Sequence, residues 1–465
     1  MNKQALLLKK DKSYIQSSTL LLLGFASVFF PRLLDSVGVP SIINFIHFAI
    51  VPIVSLVALF KTQTKNRNQI SLTKELLCGI LILLGVFFAS ALLNKAGFIN
   101  VIIGYLLLAE PFIFLVAVIC IPMTPTSLGR LKGWIIGFSC FHIFLALLQA
   151  FLLNIGVLRA TTMAIIWDNI QGVFYLSGSG HVVGASVSIS FGIYYFISAK
   201  NNAFWLRISV FFAAFLQLLL ADAKQVLLVC FVSWILLILL KLKDIKIFLQ
   251  YSIGAIIAIG VFLWCMQNLE IFRAFNTWIR PEIYGPDGEA TLLKTSSIRI
   301  IISYYKLPLN LLLGLGPGHT VGRLGGWMLP KYWDLFGPLG ATIHPVSKQT
   351  FDLVWGSLLG RSSSMFSPLF GWAGIWGDIG ILGLGTYLYI SSIVWRRICL
   401  DDFSKFLMLN VFVNGLIFSQ MEEPGYMLFV AVLIALQWQD RQINKSLKQR
   451  SAYIYAGANP SLEIN

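Results

Sequence analysis

A chain of 465 residues would ordinarily divide into roughly two to four soluble domains, but this one is 57% hydrophobic and only 12% charged, with a mean hydropathy of +0.79. A soluble surface needs about twice that charge fraction, so a soluble enzyme or binding domain is excluded. The net charge of +15 would suit nucleic acid, yet the basic residues sit in short connections between apolar runs, where the positive-inside rule puts them; the excess is a topology signal, and no nucleic-acid partner is expected.

Many apolar runs reach roughly 18 residues, the thickness of a bilayer's hydrocarbon core. They are continuous rather than alternating, so they are helices, and the fold class is all-α and polytopic in the membrane. In chain order they fall near 17–34, 41–60, 72–93, 97–121, 131–156, 181–199, 203–221, 223–240, 247–267, 369–395, 404–420 and 424–438, about twelve spans. The first follows a basic start and has no small-residue cleavage site, which reads as a retained span rather than a signal peptide. Basic clusters recur on alternate connections: Lys9, Lys10 and Lys12; Lys61, Lys65 and Arg67; Arg130 and Lys132; Lys241, Lys243 and Lys246; Arg396 and Arg397; Arg441, Lys445 and Lys448. This pattern puts both termini in the cytoplasm and 268–368 outside. The expected organisation is membrane helices over 1–267, one large external loop over 268–368, membrane helices over 369–440 and a cytoplasmic tail over 441–465. Cys78, Cys120, Cys140, Cys230, Cys265 and Cys399 all lie outside the loop and form no CxxC pair, so neither a disulfide framework nor a metal site is expected.

A shorter external stretch, 157–180, carries apolar residues and Trp167 and suits a helix lying at the interface. The large loop mixes a short helix, expected over 296–307 after a serine cap, with Gly314-Leu-Gly-Pro-Gly318, which must break any helix. It is long for a loop without function.

Several residues can carry chemistry. Lys224 sits where an external turn enters a span; it either contacts a phosphate or pairs with Asp222. Arg299, among isoleucines, faces either water or an anion. Arg280, Arg323 and Arg361 are further external arginines, and several guanidiniums around one cleft would hold a diphosphate bidentately. His319 and His344 have the chemistry of a general base near neutral pH, or are ordinary loop histidines. Glu110 and Asp378 are carboxylates inside spans, costly unless paired or functional. Gly371, Gly374, Gly377, Gly380 and Gly383 recur every three residues and read as a close-packing stripe. The pair Glu422 and Glu423 reads as a solvated turn, with an arginine cluster as its alternative partner.

Together these stretches resemble the bacterial O-antigen polymerase and O-antigen ligase superfamily (Wzy-type polymerases and their ligase relatives). Residues 215–228 resemble the family's span pair joined by a turn with a basic residue, where Lys224 stands in the place of an arginine. Residues 299–318 resemble its segment from an arginine to a Gly-x-Gly turn, and Trp376-Gly-Asp-Ile-Gly380 its acidic-glycine start of the closing span. His181 begins a span in the corresponding place. The ligases carry a His-Asn or His-Ser pair before that motif; here Ser362–Pro368 occupies the position, and the nearest upstream histidine is His344. The resemblance implies a GT-C-like, inverting membrane glycosyltransferase that polymerises undecaprenyl-diphosphate-linked repeat units, with a ligase or a flippase-like transporter as alternatives. It implies catalytic roles for His344 and Arg299 and substrate contacts from Lys224, Arg299, Arg323, Arg361 and His319, with Asp352 another possible base. It implies no cofactor and no metal. The partners it implies are the lipid-linked glycan as donor and acceptor, membrane lipid, a flippase and a chain-length regulator, at the cytoplasmic membrane.

Overall fold

The computed structural model describes residues 18–61, 66–160, 165–177, 179–269, 272, 281–362, 366, 371–417 and 419–458. Among them there is no strand. The longer helices are α1 (Ser18–Phe29), α2 (His47–Lys61), α3 (Arg67–Asn94), α4 (Phe98–Cys120), α5 (Pro125–Asn154), α6 (Gly180–Ser198), α7 (Phe204–Leu220), α8 (Lys224–Leu239), α9 (Ile245–Asn268), α10 (Glu289–Ser303), α11 (Pro345–Gly356), α12 (Gly371–Arg397), α13 (Asp402–Asn414) and α14 (Pro424–Ala458). Their starts follow local chemistry. Asn66 accepts hydrogen bonds from the backbone N–H groups of Asn68 and Gln69, and Thr124 from Ser127 with Pro125 in the first helical position. Asp401 accepts from Ser404 at 2.7 Å. Each side-chain cap satisfies donors that a helix leaves unpaired.

Among the described residues, seven helical segments are long and apolar enough to cross a membrane: 41–60, α3, α4, α5, α6, α9 and α12. α1, α7 and α8 are apolar but shorter. α13 has 13 residues, about 20 Å at the helical rise, well short of the roughly 30 Å hydrocarbon core. Polar Asp401 and Asp402 begin it and Gly415 ends it, so an expectation drawn from hydropathy over 404–420 overstated its reach.

α4 and α6 form the centre, together with the apolar first half of α14. α4 packs against α2, α3 and α14; α6 pairs with α7; α8 lies between α13 and α9; α12 lies along α3. Tyr194, Tyr387, Tyr426, Phe114 and Phe429 are among the largest fully buried side chains. α9 lies at the other extreme, with only 6% of its apolar window buried. Ile256, Ile257 and Trp264 stand exposed on it. So wide an apolar face matches lipid as its surroundings.

The described residues between α9 and α12 are folded rather than extended. α10 packs on α11, and short helical turns connect them. α10 begins at Glu289 and ends at Ser303, earlier than the serine-cap reading, because Gly288 opens it and Pro308 lies beyond its end. Residues 165–177 also depart from expectation. They form two 3-10 turns, Trp167–Asn169 and Gly172–Phe174, rather than an interfacial helix, and of the residues in these turns only Trp167 is exposed. Gln149 accounts for the burial: its side chain accepts from the N–H groups of Gln171 and Gly172 and donates to Gly172 O, so a non-helical backbone is satisfied inside the protein.

α12 is two helices meeting at Gly380, where φ is +67° and ψ −168°. The glycine turn of 314–318 lies against this break. Leu315 N donates to Gly377 O at 2.8 Å, Gly316 N to Asp378 O at 3.0 Å, and Ser90 Oγ to the same carbonyl at 2.8 Å. A side chain at Gly380 would collide with Leu312 O, and one at Gly314, itself at φ +72°, with the Asp378 backbone. Both positions need glycine for conformation and for close approach.

Candidate functional site

The site is built outward from Asp378. Its carboxylate accepts from Gly318 N at 2.8 Å, from Thr320 N at 2.9 Å and from Thr320 Oγ1 at 2.6 Å. Three donors on one carboxylate fix the turn after the glycines. That turn delivers Arg323, whose own N–H donates to Glu422 Oε2 at 2.5 Å while its guanidinium pairs with Glu423. Glu422 and Glu423 are therefore buried partners of an arginine, and the solvated-turn reading does not hold. Their polar appearance in sequence hides this, because the partner lies about a hundred residues away.

Arg323 is one of three cations gathered on Trp327. Its guanidinium carbon lies 5.0 Å from the ring centroid, that of Arg32 5.7 Å, and the Lys331 ammonium 5.0 Å, with Lys331 also 5.5 Å from Tyr332. The electron-rich ring face attracts each of them. Arg32 Nη1 donates to Tyr332 Oη at 3.3 Å and lies 3.9 Å from Asp35 Oδ2; Asn44 donates to that same oxygen at 2.7 Å. Arg32, Asn44, His47, Arg323, Trp327 and Glu423 help line an open cleft. A wider hollow carries Asp35, Lys331 and Tyr332 on its wall. Burial, and then the charge of Arg32, pushes the Lys331 ammonium below its ordinary range. Burial also lowers Arg323, against the pull of Glu423. Cations that depress one another are relieved by an added anion, and the arrangement suits a phosphate or diphosphate.

Arg32 and Lys331 escaped the sequence reading. Arg32 lies in the tail of an apolar run, at Pro31-Arg-Leu-Leu-Asp35, and Lys331 lies in Trp327-Met-Leu-Pro-Lys-Tyr-Trp333. The only signal was a basic residue interleaved with aromatics.

The other expected residues lie elsewhere. Lys224 pairs with Asp222, which has φ +52°. Arg299 is exposed, and its Nη2 donates to Leu292 O at 2.8 Å on its own helix. Arg361 is exposed and donates to Ser357 O. Among the described residues, none of these three is joined to Arg323 by an ion pair or hydrogen bond. Arg280 lies outside the described residues, and Asp352 is exposed. Glu110 is paired with His47 at 2.8 Å, next to the cleft.

His319 and His344 are brought together, their rings 5.5 Å apart and nearly parallel. His319 Nδ1 donates to Leu315 O at 2.8 Å, and Nε2 accepts from Thr342 Oγ1 at 2.8 Å. Burial pushes its pKa down to about 4, so it is neutral and serves as a brace. His344 is half-buried; its Nδ1 accepts from Val346 N at 3.3 Å and so caps α11. A further cluster gathers Asp168, His181, Asp222 and Lys224. Burial first, then Asp222, raises the Asp168 carboxyl to about 7, with Lys224 opposing, and its Oδ1 lies 3.9 Å from His181 Nε2. Among the described residues no group of three or more His, Cys, Asp or Glu side chains is placed to hold a metal ion.

No family model matches the chain, and no curated protein matches it.

Proposed function

We propose that this protein is a membrane glycosyltransferase that polymerises undecaprenyl-diphosphate-linked oligosaccharide repeats, with the cleft at Trp327 holding the donor's diphosphate. The observation that carries the reading is the gathering of Arg32, Arg323 and Lys331 on one aromatic ring beside an open cleft. The resemblance of 215–228, 299–318 and 376–380 to O-antigen polymerases supports it. In this reading the chain crosses the cytoplasmic membrane about twelve times, both termini are cytoplasmic, and the 268–368 segment works outside.

The acceptor hydroxyl oxygen forms a bond to the donor's anomeric carbon from the face opposite the leaving group. The bond from that carbon to the phosphate oxygen breaks, and the bonding pair leaves on the lipid diphosphate. Arg323, Arg32 and Lys331 stabilise the charge that builds there. The donor's phosphate displaces Glu423 as the partner of Arg323. The hydroxyl proton passes to a base, and His344 is the better placed of the two histidines, since both nitrogens of His319 are engaged. To accept a proton at Nδ1, His344 must release Val346 N–H. Lys224, Arg299 and Arg361 serve in this proposal as further contacts along the donor's path.

The test is reconstitution in liposomes with a synthetic lipid-linked repeat. Oligomers should form, and Arg323→Gln should lower their rate about 100-fold or more, the usual effect of removing one charge-stabilising donor. Transfer to a different acceptor without elongation would instead mark a ligase. Transbilayer movement of the repeat without any new glycosidic bond would overturn the enzymatic reading.

A further inference from the structure

Behind the cationic cleft lies a second, smaller cavity that the proposed reaction does not use. It is narrow and is lined by Asp378 and Glu422 together with Phe87, Leu107, Leu324 and Ile379. Two carboxylates thus face one mostly apolar space. Their surroundings differ. Asp378 receives three hydrogen bonds on its two oxygens. Glu422 receives one, from Arg323 N to Oε2, and its buried Oε1 has no hydrogen-bond partner among the described residues. That oxygen is held close by glycine: a β-carbon on Gly322 would lie 3.1 Å from it and one on Gly374 3.2 Å. The guanidinium of Arg323, whose backbone N–H bonds Glu422, is itself paired with Glu423.

We infer that Glu422 is a proton-binding site, carrying a hydrogen on its carboxyl group in the resting protein. The groups that face it are Asp378 and Tyr387 from α12, Arg323 from the 314–328 turn, and its neighbour Glu423. Glu422 and Glu423 share one arginine there, and Asp378 stands close enough to Glu422 to repel its charge. Asp378 is held by three donors and Glu423 pairs with the guanidinium, which leaves Glu422 the least compensated, with one hydrogen bond and an unpartnered Oε1. A buried carboxylate in that position takes up a proton rather than remain charged. Burial, reinforced by the charge of Asp378, raises Glu422 to about 8 against the opposing pull of Arg323. A metal ion is a poorer occupant, since the apolar lining offers no set of oxygens to replace its hydration shell.

This inference does not depend on the glycosyltransferase reading, because its test needs no substrate. The full-length protein in lipid nanodiscs is titrated from about pH 5 to about pH 10 while the infrared carbonyl stretch of protonated carboxylic acid is followed. That range spans the ordinary carboxylate value and the raised one. A band that vanishes with a midpoint near 8 should be present at neutral pH, separate from the one that Asp168, raised to about 7, contributes. It should be lost in Glu422→Gln, shifted in Glu422→Asp, and kept in Glu423→Gln. Exchanging potassium for sodium should leave the midpoint in place. Absence of the band at neutral pH overturns the inference. So does its persistence, unshifted, in Glu422→Asp, a variant that keeps the carboxyl group if Glu422→Gln fails to fold. Loss of the band on adding sodium at constant pH would make the occupant a metal ion and equally overturn it.

Discussion

Arg323 shows how one side chain serves two purposes. Its ion pair with Glu423 is buried, with side-chain exposures of 9% and 11%, and removing one partner strands the other. Arg323→Gln alone should therefore destabilise the fold by about 3–5 kcal/mol, read as a fall in apparent Tm. Arg323→Gln combined with Glu423→Gln should recover most of that loss. It should not recover anion binding: pyrophosphate affinity, measured by calorimetry, should stay at least about tenfold weaker than in the unaltered protein, since charge-assisted hydrogen bonds to an anion contribute about 1.5–3 kcal/mol each. Full recovery of both would make Arg323 purely structural. The same residue marks what was legible in sequence. It was recognisable as one of several external arginines, but nothing local distinguished it from Arg299 or Arg361. The difference is made by Glu422, Glu423 and Trp327, and the two glutamates are far from it along the chain.

At the scale of elements, the contact between the 314–318 turn and the break in α12 holds the site. Gly380→Ala should cost about 1–3 kcal/mol from its left-handed backbone alone and more from the collision with Leu312 O. Gly385→Ala, on the same helix with open space around it, should be neutral or stabilising by up to about 1 kcal/mol. Thermal unfolding of the two variants in one detergent checks the contrast. Glu422 adds a pH dependence. Its folded pKa, about 8, lies above the ordinary 4.5. Between those values the folded state holds more protons than the unfolded one, so stability falls as pH rises through that window and levels off above it. Glu422→Gln should flatten this slope, measured as apparent Tm against pH. Linkage carries the effect into the cleft as well. Loss of the proton adds a negative charge beside Arg323, so pyrophosphate binding should weaken as pH rises through about 8, and less so in Glu422→Gln. The glycine stripe of α12 was readable as a packing surface from its spacing. That one of its members breaks the helix was not, because helical glycines and left-handed glycines look alike in a sequence.

At the scale of the whole molecule, the division between buried and exposed apolar surface decides what surrounds the protein. Ile256, halfway along α9, is 69% exposed and faces lipid in the membrane reading. Ile256→Lys should cost insertion about 2.5–3.5 kcal/mol, the scale for a charge at mid-membrane. Ile302→Lys, at an exposed position of α10 outside the seven candidate spans, should leave insertion unchanged. Membrane yield of the two variants separates the cases, and equal yields would remove α9 from the lipid face. The sequence by itself determined the helical membrane class and most helix positions, because a long apolar run has one stable state in a bilayer and shows it locally. It also determined that the 314–318 turn must interrupt the helices, since glycine and proline act on their own neighbours. Only the tertiary structure decided which charges meet: that Arg32 and Lys331 join Arg323 on Trp327, that Lys224 is taken by Asp222, and that Glu422 is buried. Charge pairing depends on distance in space, and the partners come from elements whose order along the chain carries no record of their contact.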